Sequence, residues 1–275
     1  MLPKDLQIFS NLNWVTLLGC AVLFLNPCNV KAQDSGWGHM TGKIVVKGEI
    51  PMPEDLTLDT ADRQYCEDTG QEFKSRELLV GSEGQLRDAY VMMYFGRGDR
   101  KRPEVHPSYE AETKVVLDNV NCRFEPRALF VRTGRSITFK NSDRIGHNCH
   151  IVTMNFEDNA SLGAGATTDI EVEEASRVPG IVKCDAHKWM EALVLVRDEP
   201  YAAITDADGN FKIENLPAGE WTFQFWHTKP GFLKGLQQDG KDFVGRRGEV
   251  KVTIPDGGTL DLGELTIPAE ILLKD

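Results

Sequence analysis

The feature that most constrains this chain is a seven-residue loop between two apolar segments. Ile181 and Val182 lead into residues 184–190 (Cys-Asp-Ala-His-Lys-Trp-Met), and residues 192–196 (Ala-Leu-Val-Leu-Val) follow. Short apolar segments rich in β-branched residues on both sides of a tight connection predict two adjacent β-strands. The loop therefore holds a thiol, an imidazole and a thioether at one end of a predicted sheet.

This donor set favours copper. A thiolate and two imidazoles with a weak axial thioether form the blue-copper arrangement. Six Cys, six His and seven Met in 275 residues give a C-x2-H-x2-M pattern by chance with a probability of roughly 0.3%, so chance explains the spacing poorly. The predicted ligands are Cys184, His187 and Met190 from the loop, and His147 from the segment Gly-His-Asn-Cys-His at 146–150.

Other interpretations of the loop are weaker. Structural zinc takes four Cys or His ligands and usually shows paired C-x2-C or H-x3-H spacing, which this sequence lacks. A c-type haem needs C-x-x-C-H, which is also absent. Without a metal, Cys184 and Met190 are expected to be core residues and His187 a surface residue.

The sequence does not predict an enzyme. Catalysis by copper needs an open coordination position or further metal ions held by several histidines. The remaining histidines are scattered and form no repeated cluster; they are His39, His106, His150 and His227. His150 lies three residues after His147 and is expected to face away from it on a strand. His227 is expected to serve packing and hydrogen bonding.

The His147-Asn148 pair and the C-x2-H-x2-M loop resemble cupredoxins with amicyanin-type loop spacing. Over about residues 113–230 the chain also resembles exported bacterial methylamine-utilisation or plastocyanin-like proteins. The resemblance implies a Greek-key β-sandwich with one type 1 copper, held by His147, Cys184, His187 and Met190. It also implies that Asn148 braces the ligand loops by hydrogen bonding. The implied function is transfer of single electrons between a donor and an acceptor protein, neither of which the sequence identifies.

Two residues depart from this pattern. Lys188 stands where amicyanin-like loops have proline. It lies beside the expected exposed edge of His187, where its positive charge can raise the reduction potential of the copper or attract an acidic partner protein. We expect electrons to cross at that edge, beside Trp189. Cys149 lies two residues after His147 and on the same strand face. It has three open roles: packing near the copper, pairing with another cysteine, or competing as a ligand.

The N-terminus predicts export to the periplasm. An apolar run from Trp14 to Leu25, followed by Val-Lys-Ala at 30–32, is typical of a signal peptide covering residues 1–32. The run is too short to span a bilayer comfortably. Cys20 lies inside the run and not after it, which disfavours a lipoprotein. Cleavage leaves 29 basic and 41 acidic residues, a net charge of −12, which argues against nucleic acid or an anionic membrane as partner.

Export also permits disulfides. The mature chain has Cys66, Cys122, Cys149 and Cys184. The resemblance makes Cys184 a metal ligand, and exclusion together with the resemblance then predicts a bridge between Cys66 and Cys122. Cys149 remains as a buried thiol.

The chain is predicted to be all-β, with two sandwiches. Residues 33–112 are interpreted as an N-terminal β segment associated with the copper domain, and residues 113–197 as the cupredoxin core. Residues 51–76 and 97–112 are polar, proline-bearing or charged and predict long surface loops. No helical period or internal repeat dominates.

Residues 198–275 resemble a carboxypeptidase regulatory-like, transthyretin-type β-sandwich. The Asp-Gly pair at 208–209 between two strand-like segments predicts a hairpin over 204–213. Alternation places Trp221, Phe223 and Phe225 on one face.

Two other functions remain open at this point. A copper-holding or assembly-scaffold protein would bind the metal without cycling it. A secreted β-sandwich binding module would need no metal.

Overall fold

The computed structural model describes residues 36–96, 98–99, 101–111 and 114–273. The predicted signal peptide, residues 1–32, lies outside the described residues. The strands are β1 (Trp37–Lys47), β2 (Tyr90–Met93), β3 (Val115–Val120), β4 (Arg123–Glu125), β5 (Ala128–Arg132), β6 (Arg135–Asn141), β7 (His147–Val152), β8 (Glu157–Leu162), β9 (Thr167–Val172), β10 (Gly180–Lys183), β11 (Glu191–Arg197), β12 (Ala202–Ile204), β13 (Asn210–Pro217), β14 (Gly219–His227), β15 (Gly231–Phe232), β16 (Gln237–Gln238), β17 (Lys241–Asp242), β18 (Glu249–Ile254) and β19 (Thr259–Pro268). The helices α1 (Arg63–Asp68) and α2 (Ala269–Leu272) and a 3-10 turn (Pro107–Tyr109) are short.

The fold is an all-β sandwich structure, as predicted. One sheet has the order β5-β11-β10-β7-β8 and faces a second with the order β4-β3-β6-β9. Their shared core includes Phe124, Phe139, Ile151, Val182 and Val194. We call this pair of sheets the first sandwich.

A second sandwich has its own core. Its sheets have the orders β13-β1-β19-β16-β17 and β12-β2-β14-β15, with β18 paired to β14. The predicted aromatic face of β14 is confirmed, because Trp221, Phe223 and Phe225 are 7%, 0% and 0% exposed in this core.

The two sandwiches pack against each other through the outer face of β11. Alternate side chains of a strand point to opposite faces. Ala192 and Val194 enter the core of the first sandwich, whereas Leu193 and Leu195 join Tyr90 and Met92 in a third apolar cluster between the sandwiches. β11 is therefore apolar at successive positions because both of its faces are covered.

The N-terminal segment divides between the two sandwiches, whereas residues 33–112 were predicted to associate with the copper domain. β1 pairs antiparallel with β13 and parallel with β19, and β2 pairs with β12 and β14. The intervening segment around α1 instead joins the core of the first sandwich, through Leu58, Tyr65, Cys66 and Phe73. Alternation identifies strands but not their partners, so the sequence left this division undetermined.

The predicted hairpin over 204–213 is also corrected. The tight turn is present, with Gly209 N–H donating to the Asp206 carbonyl at 3.1 Å and Gly209 at φ +75°. The strands on either side, β12 and β13, enter different sheets, where they pair with β2 and β1. The turn is therefore a corner between the two layers of the second sandwich.

The disulfide prediction is confirmed. Cys66 and Cys122 are bonded, with their Cα atoms 5.6 Å apart and a sequence separation of 56. The bridge fastens α1 to the turn between β3 and β4. No helix of the described residues is long and apolar enough to cross a membrane.

Candidate metal centre

The predicted ligands lie at one end of the first sandwich because two adjacent strands meet there. His147 begins β7, and Cys184 follows directly after β10, which pairs with β7. The loop then turns back into β11. Its backbone is closed by hydrogen bonds from Met190 N–H to the His187 carbonyl (2.8 Å) and from Cys184 N–H to the Met190 carbonyl (3.2 Å).

Three donor atoms converge at this end. His147 Nδ1 lies 3.0 Å from His187 Nδ1, and Cys184 Sγ lies 3.9 Å from the former and 3.5 Å from the latter. All three side chains are buried, and their donor atoms lie within 4.8 Å of one another. Met190 is 1% exposed and belongs to the same core cluster as Cys184. This donor set fits a copper ion, since it combines a thiolate with two imidazoles in a closed, apolar site.

The electrostatics of the site favour an ionised thiol. Burial raises the pKa of Cys184, but hydrogen bonds from His147 and His187 outweigh it and bring the pKa down to about 6. Burial lowers the pKa of His147, but its hydrogen bond to Asp143 and the nearby Cys184 sulfur raise it to about 9. Between these values a thiolate and an imidazolium face each other in the metal-free protein.

We expect the Cys184 and His147 contributions to the stability of the metal-free protein to oppose each other between about pH 6.5 and 9, so that their sum changes little across this range. The Cys184 pKa is depressed from 9.0, so its contribution is fully present above pH 9 and is lost as pH falls through about 6. The His147 pKa is raised from 6.5, so its contribution is fully present below pH 6.5 and is lost as pH rises through about 9. Urea unfolding at pH 5, 7.5 and 9.5 checks this. A Cys184→Ser variant with the same pH profile as the parent would contradict it.

A buried carboxylate orients the first histidine. Asp143 Oδ2 lies 2.8 Å from His147 Nε2, which leaves Nδ1 facing the sulfur. The carboxylate also accepts backbone N–H bonds from Asn121 (2.6 Å) and Cys122 (2.9 Å). Burial raises the pKa of Asp143, but these bonds and that from His147 lower it overall. Asp143 was not predicted from the sequence, although a carboxylate four residues before a proposed histidine ligand was a usable signal.

The second histidine is covered, which corrects the expectation of an exposed His187 edge. The His187 side chain is 0% exposed, and its Nε2 lies 3.3 Å from Asp62 Oδ2. Asp62 precedes α1, in a segment of residues 54–76 that we call the cap. The cap is joined to the first sandwich by the disulfide, by Tyr65 Oη, which lies 3.3 Å from Asp143 Oδ1, and by the edge-to-face contact of Phe73 with Trp189.

The bracing role implied for Asn148 agrees with its contacts. Its Oδ1 accepts the Asp185 backbone N–H at 2.8 Å and lies 3.3 Å from Cys184 Sγ. Its Nδ2 donates to Asp185 Oδ2 at 2.8 Å. One amide therefore links the start of β7 to the start of the ligand loop.

The other two residues of this strand have different roles. Cys149 is a free, fully buried thiol that accepts a hydrogen bond from Asn119 Nδ2 at 3.4 Å, and burial raises its pKa to about 12. It is not among the three converging donors. Of its open roles, packing fits these contacts best. His150 points to the opposite face, as expected, and contacts Asp185 and Glu157 at 3.1 and 2.9 Å.

Comparison with known proteins gives structural similarities only. No protein-family model and no curated protein matches the chain. A copper-containing nitrite reductase from Thermus scotoductus SA-01 aligns with 34% of this chain and 25% of its own, at 19% identity and a TM-score of 0.29. A mutant of amicyanin in its reduced Cu(I) form aligns over 34% and 91% at 22% identity and a TM-score of 0.28. A purple cupredoxin from Nitrosopumilus maritimus aligns over 30% and 99%, at 22% identity and a TM-score of 0.26.

The chain thus spans a quarter of the nitrite reductase chain and most of the two small copper proteins. Scores at this level carry no argument about function.

Proposed function

We propose that this chain is an exported type 1 copper protein that carries single electrons between redox partners and is not an enzyme. The observation that carries the proposal is the convergence of His147 Nδ1, His187 Nδ1 and Cys184 Sγ in a closed, buried site. His147, Cys184 and His187 would hold the metal, with Met190 as the weak axial ligand. Bound there, copper supplies a reversible one-electron couple.

The protein around the site favours a fixed geometry. Asp143 and Asp62 hold the outer nitrogens of the two imidazoles, at 2.8 and 3.3 Å. Asn148 joins the ligand loop to β7. Such outer contacts fix ring orientation and tautomer, so the ligands need little rearrangement when the charge of the site changes.

Two features support export. The N-terminal sequence resembles a signal peptide, and the Cys66–Cys122 disulfide is of a kind that persists in an oxidising compartment such as the periplasm. The electron donor and acceptor are proposed to be proteins, and the acidic mature chain does not favour nucleic acid.

The test is a copper titration of residues 33–275. We expect one copper per chain, an intense visible band near ~600 nm, bleaching by ascorbate, and full recovery on reoxidation. A chain that binds copper but does not cycle would favour the copper-holding alternative. A chain that binds none would leave the secreted binding module.

Replacing Met190 with leucine should raise the reduction potential by roughly 100 mV, because the axial ligand tunes the potential of such sites. Redox titration followed in the visible band measures the shift. Met93→Leu is the matched control, since Met93 is equally buried but lies in the second sandwich. Equal potentials in the parent and Met190→Leu would remove Met190 from the ligand set.

A further inference from the structure

Trp189 connects the covered histidine to the surface. The indole ring lies 5.3 Å from the His187 ring, centroid to centroid, and donates its Nε1–H to the Cys122 carbonyl at 3.0 Å. Trp189 is partly exposed, whereas His187 is fully buried. The indole and Met190 also line a cavity of about 140 Å³ that opens beside the ligand loop. The aromatic ring therefore reaches an accessible surface that His187 does not reach.

The cavity is basic, although the chain is acidic. Five basic residues and two glutamates line it, an excess of three positive charges in a chain of net charge −11. The basic residues are Lys74, Arg76, Arg123, Arg127 and Lys188. Burial lowers the pKa of Arg123, and the neighbouring charge of Arg76 lowers it further. Basic side chains therefore outnumber acidic ones among the residues that line the cavity, in contrast to the chain as a whole.

Part of this positive charge is not neutralised. Arg76 pairs with Glu125 at 2.7 Å, and Lys74 pairs with Glu72 at 3.4 Å. By contrast, the Arg127 side chain is 3% exposed, and neither of its terminal nitrogens has a hydrogen-bond partner among the described residues. Arg127 Nη1 forms an ion pair with Asp88 Oδ2 at 3.5 Å, without a hydrogen bond. Lys188 is exposed and makes no ion pair with any described residue. Buried N–H donors that make no hydrogen bond are costly unless an acceptor completes them.

We propose that electrons enter and leave through Trp189 and that the basic cavity beside it binds a carboxylate group of an acidic redox partner protein. The guanidinium of Arg127 and the ammonium of Lys188 match the geometry and charge of a carboxylate. The electron route rests on the proposed function. Anion binding at the cavity does not, and it can be measured without metal.

The first test uses the metal-free protein and hexacyanochromate(III), a paramagnetic and redox-inert trianion. Paramagnetic relaxation should broaden the Trp189 indole N–H signal before those of the other three tryptophans of residues 33–275. Lys188→Glu should weaken this binding about fivefold or more, because it replaces an attractive charge with a repulsive one. The matched control is Lys251→Glu, which makes the same charge change at an exposed position of β18 and should leave the binding unchanged. Broadening centred on another surface, or an equal loss in both variants, would overturn the site.

The second test uses the copper-loaded, reduced protein and hexacyanoferrate(III). One electron passes from the protein to the reagent, which becomes hexacyanoferrate(II). Repulsion between an anionic reagent and a molecule of net charge −12 would make the rate rise with salt, whereas local attraction at the cavity makes it fall. We expect the rate to fall with salt, and to rise with salt in Lys188→Glu but not in Lys251→Glu.

Trp189 itself is tested with a pair of substitutions. Trp189→Leu should slow oxidation by hexacyanoferrate(III) at least about tenfold, because it removes the conjugated ring between His187 and the cavity. Trp189→Phe should retain most of the rate, and both variants should keep the visible band. An unchanged rate in Trp189→Leu would overturn the electron route. A protein without a visible band would instead overturn the proposed function and leave the metal-free anion result standing.

Discussion

Replacing Cys184 with serine is expected to abolish the intense visible band of the copper-loaded protein and to weaken copper binding by at least about a hundredfold. The band requires a thiolate ligand, and a hydroxyl is neither ionised at neutral pH nor soft enough to select copper(I). The sulfur is also the only one among the three converging donors. Visible spectra and competition with a copper chelator measure both effects.

Cys149→Ser is the control for this prediction. Cys149 is the other free cysteine of the described residues, is fully buried, and lies two residues from His147. Its sulfur accepts a bond from Asn119, which a serine hydroxyl also accepts. We expect an unchanged band in Cys149→Ser. A band that survives in Cys184→Ser and disappears in Cys149→Ser would reverse the assignment of the thiolate.

Removing the disulfide is expected to have the second large effect. Replacing Cys66 and Cys122 together with serine opens a loop of 56 residues, which corresponds to about 4 kcal/mol of unfolding free energy from chain entropy. The cap that covers His187 would then be held only by noncovalent contacts. We therefore also expect copper to transfer to an external chelator at least about tenfold faster, because local opening exposes the ligand.

Urea unfolding and chelator transfer rates check this double variant. Arg63→Gln is a matched control on the same helix, since its exposed ion pair with Glu67 spans one helical turn and contributes little. We expect a change below about 0.5 kcal/mol and no change in transfer rate for Arg63→Gln. Equal transfer rates in the parent and the disulfide variant would show that the cap does not control access to the site.

The sequence was sufficient to predict where the donors meet. The loop between two strands keeps Cys184, His187 and Met190 close together regardless of the rest of the fold. His147 begins the strand that pairs with the one leading into this loop. The cap was not predictable from the same information. Asp62 lies 125 residues before His187, and a polar segment with one helical turn carries no pattern that names its partner. The expectation of an exposed His187 was wrong because the cap, which makes this long-range contact, covers the imidazole ring.

The pairing of β1 with β19 has a consequence for synthesis and dissection of the chain. β1 hydrogen-bonds along most of its length with the last strand, so its sheet stays unfinished until the C-terminal residues have left the ribosome. The first sandwich, by contrast, draws all nine of its strands from residues 115–197. A single cut near residue 198 would deprive the second sandwich of β1 and β2 and leave an open sheet edge prone to aggregation. The two sandwiches can therefore be separated by removing the middle of the chain, residues 115–197, and not by a single cut.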